Sequence, residues 1–257
     1  MKIERHLPPA FLRPYVRALL LIESDAEAQN LVLPDTSLVL AVQYRGRVLC
    51  TQNGVARAAP AAALTGLSNA PRQLTYAPGT STLLVQFKEM GAAFFFPLPL
   101  HELFGHSLPL DQLLPPAQVR ELGERVAAAP STQLRLAVVA HFLLARLRPS
   151  PPDVPIRQAV QAIRASGGTL PIHAVAAGLA LSRDPFEKHF RRLVGTSPKQ
   201  FAAIVRLRGV LAHRPVARSL TELAHAAGYF DQAHFNKDFK AFTGQAPTAF
   251  FAGGAYW

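Results

Sequence analysis

A 21-residue segment of this chain occurs twice, at a spacing of 49 residues. LSRDPFEKHFRRLVGTSPKQF (residues 181–201) aligns with FDQAHFNKDFKAFTGQAPTAF (residues 230–250), and six of the 21 positions are identical. The identities are three phenylalanines, a lysine, a glycine and a proline at the pairs 186/235, 190/239, 201/250, 188/237, 195/244 and 198/247. Any fold for this chain must therefore contain two copies of one small unit.

Each copy has the apolar spacing of two short helices separated by a turn. In the first copy the stripe consists of Ile172, Val175, Ala176 and Leu179 before the turn and Phe186, Phe190 and Leu193 after it. In the second copy it consists of Leu220, Leu223 and Ala224, then Phe235, Phe239 and Phe242. Ser182 and Asp231 are the predicted N-caps of the second helices, and the turn is one residue longer in the second copy. The opposite side of each second helix carries charge and is expected to face solvent.

Two further helices are predicted around the repeat. SPKQFAAIVRLRGVLAH (residues 197–213) has helical apolar spacing and a proline at a helix start, so it predicts a helix that connects the copies. Upstream, a stripe that begins at Ile156 ends at Gly167 and Gly168, which are typical of a helix C-terminus.

The positive charge of the chain is concentrated around the repeat. The formal net charge is +11, and residues 182–218 contain nine basic and two acidic residues, a net +7. A solvated basic face is the ordinary explanation for such a cluster. Its concentration in one short segment nevertheless favours a polyanionic partner such as nucleic acid.

A proline-rich segment, RPSPPDVP (residues 148–155), predicts a linker because its prolines cannot continue a helix. Residues 1–147 and 156–257 are then separate domains. In the first, residues 30–49 and 72–88 each predict two antiparallel strands around a turn, whereas residues 117–128 and 132–147 have helical spacing. The predicted fold class is α+β: a β-rich, barrel-like N-terminal domain with a helical tail, followed by an all-α domain.

The repeated unit has the layout of a helix-turn-helix, whose second helix enters the major groove of DNA. A pair of packed helices in a bundle gives the same amphipathic pattern. Two matched copies, a connecting helix and the local charge favour DNA. Two reading helices could enter successive major-groove turns, about 34 Å or 10 bp apart, so one chain could read a bipartite site.

LPIHAVAAGLALSRDPFEKHFRRLVGTSPKQFAAIVRLR (residues 170–208) and SLTELAHAAGYFDQAHFNKDFKAFTGQAPTAF (residues 219–250) resemble the DNA-binding domain of the AraC/XylS family of bacterial transcription regulators. The resemblance implies two helix-turn-helix motifs joined by a long helix, and an N-terminal domain that senses an effector or dimerises. VLPDTSLVL (residues 32–40) and FKEMGAAFFFPLPLHEL (residues 87–103) are similar to the sensory domain of one subgroup.

The same resemblance implies the DNA contacts. The base-contacting positions are Asp184, Glu187 and Lys188 in the first copy and Gln232, Ala233, His234 and Lys237 in the second. Lysine can donate to guanine, glutamine can pair with adenine, and glutamate can accept from cytosine. The expected phosphate contacts are Arg183, Arg191, Arg192, Lys199, Arg206 and Lys240. The first copy departs from the family's usual pattern at Asp184 and Pro185.

Double-stranded DNA is thus the expected partner. A small-molecule effector, RNA polymerase and a second copy of the chain in a homodimer are further candidate partners. A helical module that binds protein and not DNA stays open as the alternative.

No catalytic or metal-binding constellation is predicted, so neither an enzyme nor a cofactor is expected. His101 and His106 are five residues apart and do not share a helical face, and one cysteine, Cys50, cannot form a cysteine-rich zinc site. Cys50 is expected in the core. Four aromatic residues could line the mouth of a barrel, but aromatic residues of a β-rich domain are usually core, so the core is the favoured assignment for Tyr15, Tyr44, Tyr76 and Phe87. The absence of a long apolar run predicts a cytoplasmic protein without a membrane partner.

Overall fold

The computed structural model describes residues 1–52, 54–148, 153–213 and 219–253. Its strands in chain order are β1 (Lys2–His6), β2 (Val16–Ser24), β3 (Ala28–Val32), β4 (Val39–Arg45), β5 (Val48–Gln52), β6 (Val55–Ala58), β7 (Ala62–Thr65), β8 (Arg72–Tyr76), β9 (Thr80–Phe87) and β10 (Ser107–Pro109). Short 3₁₀ helices lie at Ala10–Leu12, Gly91–Phe94, Leu100–Leu103 and Leu110–Gln112.

The strands form two antiparallel sheets. One has the order β1-β2-β9-β4-β7-β10 and the other the order β3-β8-β5-β6. The predicted β-rich N-terminal domain is confirmed. Its sheets are open within the described residues, so the domain resembles a barrel only loosely.

The four strands that were predicted around turns, β3, β4, β8 and β9, are present. The two strands on either side of each turn, however, do not pair with each other. β3 and β4 flank the turn at residues 34–37, yet β3 pairs with β8 and β4 pairs with β9 in the other sheet. Where two sheets pack against each other, the chain can leave one sheet at a corner and enter the other. The packing of the two sheets, and not the turns, therefore determined which strands pair with each other.

Two strands of the larger sheet contain a bulge. The register between β2 and β9 shifts at Arg17, and the register between β4 and β9 shifts at Tyr44. An extra residue in one strand bends it and turns its side chain to a new direction.

The helical tail of the first domain consists of α1 (Pro116–Ala128) and α2 (Thr132–Leu144). α1 begins with a proline, which is tolerated in a first turn, and the Ser131 hydroxyl caps α2 by accepting from the Leu134 amide. α1 packs against β4 and α2. The tail therefore covers one part of the larger sheet.

All secondary-structure elements in the described part of the second domain are helices. Its helices are α3 (Val154–Ala165), α4 (Ile172–Gly178), α5 (Arg183–Val194), α6 (Pro198–His213), α7 (Leu220–Ala226), α8 (Gln232–Thr243) and α9 (Pro247–Ala252). Half of the expected linker, residues 149–152, lies outside the described residues. Its last two residues are helical, because Asp153 caps the Ile156 amide and Pro155 stands in the first turn of α3.

Most of the buried apolar side chains form one cluster that extends from the sheets through the helices of both domains, and Ile22, Val48 and Tyr76 form a second, smaller cluster. The 3₁₀ helix Leu100–Leu103 packs on α5. Gly195, the left-handed C-cap of α5, lies so close to the Leu100 carbonyl oxygen that an added Cβ would be 3.3 Å from it. The two domains are thus in direct contact.

The expectation for Cys50 was wrong. This free thiol is half-buried on β5, because β5 pairs with β6, a strand whose four residues are all exposed. Phe87 and Tyr76 are in the core as expected, whereas Tyr44 is partly exposed. In the described part of the chain, no helix has both the length and the apolar character needed to span a bilayer.

Candidate nucleic-acid interface

The two repeated units have the same turn. In the first unit Ala180 has a φ of 53°, and in the second its counterpart Gly228 has a φ of 76°. The residue after each, Leu181 or Tyr229, donates its amide to a carbonyl five residues earlier. Both units therefore end their first helix with a left-handed residue and the same hydrogen-bond pattern. Four residues separate α4 from α5 and five separate α7 from α8, as the alignment predicted.

The second helix of each unit is fixed by the same aromatic contacts. Phe190 stacks edge-on against Phe186 and Phe201, at ring-centroid distances of 5.8 and 5.7 Å. At the equivalent positions, Phe239 lies 5.6 Å from Phe235 and 5.3 Å from Phe250. These phenylalanines are buried, and Val194 completes the stripe of α5, where Leu193 is half-buried. The phenylalanine stripes pack inward, which leaves the other face of α5 and α8 outward.

The predicted N-caps occupy the cap positions but differ in their bonding. The Asp231 carboxylate accepts from the His234 amide at 2.7 Å. Ser182 precedes α5 without such a side-chain bond. α5 instead carries His189, which contacts the Asp153 carboxylate at the start of α3. A contact between two helices thus orients the first recognition helix.

All seven residues assigned to base contacts lie on the outward faces. Asp184, Lys188, Gln232, Ala233, His234 and Lys237 are exposed, and Glu187 is half-exposed. Glu187 is ion-paired with Arg183 at 3.0 Å, and His234 lies 3.5 Å from Asp238. Within the described residues Lys188 and Lys237 have no ion-pair partner. They are the equivalent lysines of the two copies, and both ammonium groups are available to an external acceptor.

The residues assigned to phosphate contacts fall into two groups. Arg191, Arg192 and Lys240 are exposed, and no ion pair involves them within the described residues. Arg183, Lys199 and Arg206 line a cleft of about 330 Å³ beside residues 168–173. Three cations around one cleft produce a positive potential that suits a phosphate group.

Arg206 also has intramolecular partners. Its guanidinium donates to the Gly168 carbonyl at 2.6 Å and lies 5.5 Å from the centre of the Tyr229 ring. Burial raises the pKa of Tyr229, and the hydrogen bond with Arg206 opposes this shift. Arg206 on α6 therefore connects the turn before α4 with the turn of the second unit, a role that the sequence did not predict.

Phe230 is the residue that sequence reasoning missed. It lies in the longer turn of the second unit, directly before the Asp231 cap, and is 93% exposed. The ring is therefore accessible to an external partner beside α8. The one-residue insertion between the copies was the signal that could have identified it.

Two family models match parts of this chain. Residues 175–253 match the family model described as a helix-turn-helix domain, and residues 4–109 match a domain of unknown function. No curated protein matches the sequence significantly. Within the described residues no three histidine, cysteine or acidic side chains are grouped to hold a metal ion.

Among solved structures the chain is similar to the following three proteins. ToxT from Vibrio cholerae, solved at 1.65 Å, has a TM-score of 0.48 and 11% identity, over 91% of this chain and 97% of that chain. The xylose-binding transcription activator XylR has a TM-score of 0.36 and 19% identity, over 48% and 39%. The AraC-like transcriptional activator CuxR has a TM-score of 0.27 and 12% identity, over 76% of each chain.

Proposed function

We propose that this chain, whose residues 175–253 match a helix-turn-helix domain, is an AraC-type DNA-binding transcription regulator that reads a bipartite DNA site with α5 and α8. The two helices would enter successive major grooves, whose centres are about 34 Å apart on one side of the duplex. The helix-turn-helix match favours DNA over the alternative of a protein-binding module.

The observation that carries the proposal is the equivalence of Lys188 and Lys237. Each lysine is exposed on a recognition helix whose opposite face is held by the same set of phenylalanine contacts. An ammonium group in this position can donate to guanine O6 and N7. One such lysine on each helix predicts one half-site per helix.

Some of the other outward residues would contact bases, and others would contact phosphates and so position the domain on the DNA. Gln232 on α8 can pair with adenine, and the exposed Phe230 ring beside it can contact a thymine methyl group. Arg191, Arg192 and Lys240 would contact phosphates, which set the register without specifying sequence. Glu187 is held by Arg183, so it would read a base only if this ion pair opens.

The N-terminal domain and its partners are part of the same proposal. Residues 1–147 would sense a small molecule or form a homodimer, and the regulator would act on RNA polymerase at a promoter. No catalytic activity is expected of a chain with this role.

Selection of bound sequences from random duplex DNA by the purified full chain tests the bipartite site. We expect two conserved half-sites about 10 bp apart. The logarithm of the association constant should fall with the logarithm of salt concentration, with a slope of about −0.9 per phosphate contact. Enrichment of a single short half-site, or of no sequence, would contradict the proposal, and a chain with both lysines replaced by alanine is the matched control.

A further inference from the structure

A cavity of about 230 Å³ lies in the N-terminal domain, away from the helix-turn-helix units. It is lined by Glu23, Tyr44, Arg45, Ser81, Ala127 and Arg135, which come from β2, β4, β9, α1 and α2. The cavity is thus located between the larger sheet and the helical tail.

The register of the sheet explains why these side chains meet. Ser81 of the central strand β9 pairs with Glu23 of β2 on one side and with Arg45 of β4 on the other. Paired residues point to the same face of a sheet, so the three side chains form a row across it. The bulge in β4 adds Tyr44 next to Arg45 and brings its ring to the same cavity.

Three polar atoms of this cavity are buried without a hydrogen-bond partner. They are the Tyr44 hydroxyl oxygen, the Ser81 hydroxyl oxygen and the Arg135 Nε. The two hydroxyls are close enough for Ser81 to oppose the rise that burial causes in the pKa of Tyr44, but they do not meet hydrogen-bond geometry with each other. Ser81 is fully buried. Buried polar groups in proteins are nearly always hydrogen-bonded, and a missing partner costs about 1–3 kcal/mol, so unpaired groups that converge on one cavity indicate a missing partner.

The charges around the cavity indicate the kind of partner. Arg135 lies 5.1 Å from the centre of the Tyr44 ring and has no ion-pair partner within the described residues. Arg45 donates Nε to the Gly79 carbonyl, which leaves its terminal nitrogens free of any described bond. Glu23 has no ion pair within 4.0 Å in the described part of the chain. Its cross-strand neighbour Lys2 is paired with Glu4 and interacts with Glu23 only at longer range. Two cations and one carboxylate leave a net charge of +1.

We propose that this cavity binds a small organic monocarboxylate that also carries a hydroxyl or amino group. Its carboxylate would accept from Arg135 and from the Tyr44 and Ser81 hydroxyls, and its donor group would face Glu23. A guanidinium that stacks on an aromatic ring still has N–H groups along one edge, and this edge can bind a carboxylate through two parallel hydrogen bonds. The cavity borders α2, which leads toward the DNA-binding domain. A ligand here would be the effector of the proposed regulator, and only this consequence rests on the proposed function.

Calorimetric titration of the full chain with three small probes tests the site. The probes are lactate, propionate, which lacks the hydroxyl, and lactamide, which lacks the charge. We expect affinity to fall in that order, with lactamide about 10-fold or more weaker than lactate because charge-assisted hydrogen bonds are lost. No binding of lactate at about 10 mM, or equal binding of lactamide, would overturn the proposal.

Two variants locate the binding. Arg135→Gln should weaken lactate binding about 10-fold or more, and Tyr44→Phe roughly 3- to 10-fold because it removes one hydroxyl and keeps the ring. Arg120→Gln, on the exposed surface of α1, is the control and should bind as the original chain does. If Arg135→Gln strongly lowers the midpoint of thermal unfolding, the lactate affinity of Tyr44→Phe decides whether this cavity is the binding site. Unchanged affinity in Tyr44→Phe and in a folded Arg135→Gln would overturn the site. The titration contains no DNA, so its failure is distinguishable from failure of DNA binding.

Discussion

Glu89 of the N-terminal domain is ion-paired with Arg164, at the C-terminal end of the first helix of the DNA-binding domain. The same carboxylate accepts from Arg17 at 2.7 Å and from the Thr36 hydroxyl at 2.8 Å. Arg17 is the bulge residue of β2, so the bulge directs it to Glu89. Asp35 adds a longer contact, 4.0 Å from Arg208 on α6. A nearly buried carboxylate thus joins the two domains.

Glu89→Gln should weaken this domain contact. The amide keeps the shape of the side chain but leaves Arg164 without a counter-charge and Arg17 with only the longer contact to Asp35, at 3.7 Å. We expect a loss of about 2 kcal/mol in the free energy of unfolding. Chemical denaturation measures it. Glu124→Gln, in an exposed pair on α1, is the control and should change stability by less than about 0.5 kcal/mol. Equal stability of both variants would show that the contact is not stabilising.

The contact should also depend on pH. Burial would raise the pKa of Glu89, but the charges of Arg17 and Arg164 and the bond from Thr36 outweigh it and lower this pKa below 4.5. A carboxyl whose pKa is lower in the folded state stabilises above its unfolded pKa, and this stabilisation is lost as the pH falls through the folded value. Unfolding free energy measured from neutral pH to below pH 4.5 should decline less in Glu89→Gln than in the original chain. Parallel profiles would contradict the assignment.

The two turns should respond in opposite directions to exchange of alanine and glycine. Ala180 has the left-handed φ of 53°, so Ala180→Gly should stabilise the fold by up to about 1 kcal/mol by relieving this strain. Gly228→Ala should destabilise it by more, because the new Cβ would lie 2.4 Å from the Thr169 side chain. Thermal unfolding of both variants measures the effect. A stabilising Gly228→Ala would show that the turns are not equivalent.

Phe190→Ala and Phe239→Ala should each cost about 3–5 kcal/mol of stability, because each removes a fully buried ring. Phe230→Ala provides the matched control, since its ring is 93% exposed. Its stability should stay within about 0.5 kcal/mol of the original. Full stability of Phe239→Ala would mean that the faces of α8 are reversed.

Lys188→Ala and Lys237→Ala should alter different halves of the selected DNA sequence. Each substitution should relax preference at one half-site by about 1–3 kcal/mol and leave the other unchanged. Binding of DNA pools that vary in one half-site at a time measures this. An effect of Lys237 alone would mean that α5 rests on DNA without reading it, which agrees with the departures at Asp184 and Pro185.

The sequence by itself determined the helical half of this protein. The spacing of Phe186 and Phe190, the Asp231 cap and the glycine at residue 195 are local signals, because a helix forms its hydrogen bonds within four residues and shows its buried face in its own periodicity. Because the same pattern occurs in a second copy, the assignment of buried and exposed helix faces has independent support. Ala180 shows the limit of such signals, since nothing in its identity predicts a left-handed backbone.

Tertiary structure alone decided which distant residues meet. Strand partners are chosen by burial of whole sheets, so β3 and β4 separate although a turn joins them, and one extra residue in a strand redirects Arg17 or Tyr44 without any mark in the sequence. The pairs Glu89 with Arg164 and Tyr44 with Arg135 connect residues 75 and 91 positions apart. No local pattern encodes such contacts, because they exist only once the sheets and the helices have packed together.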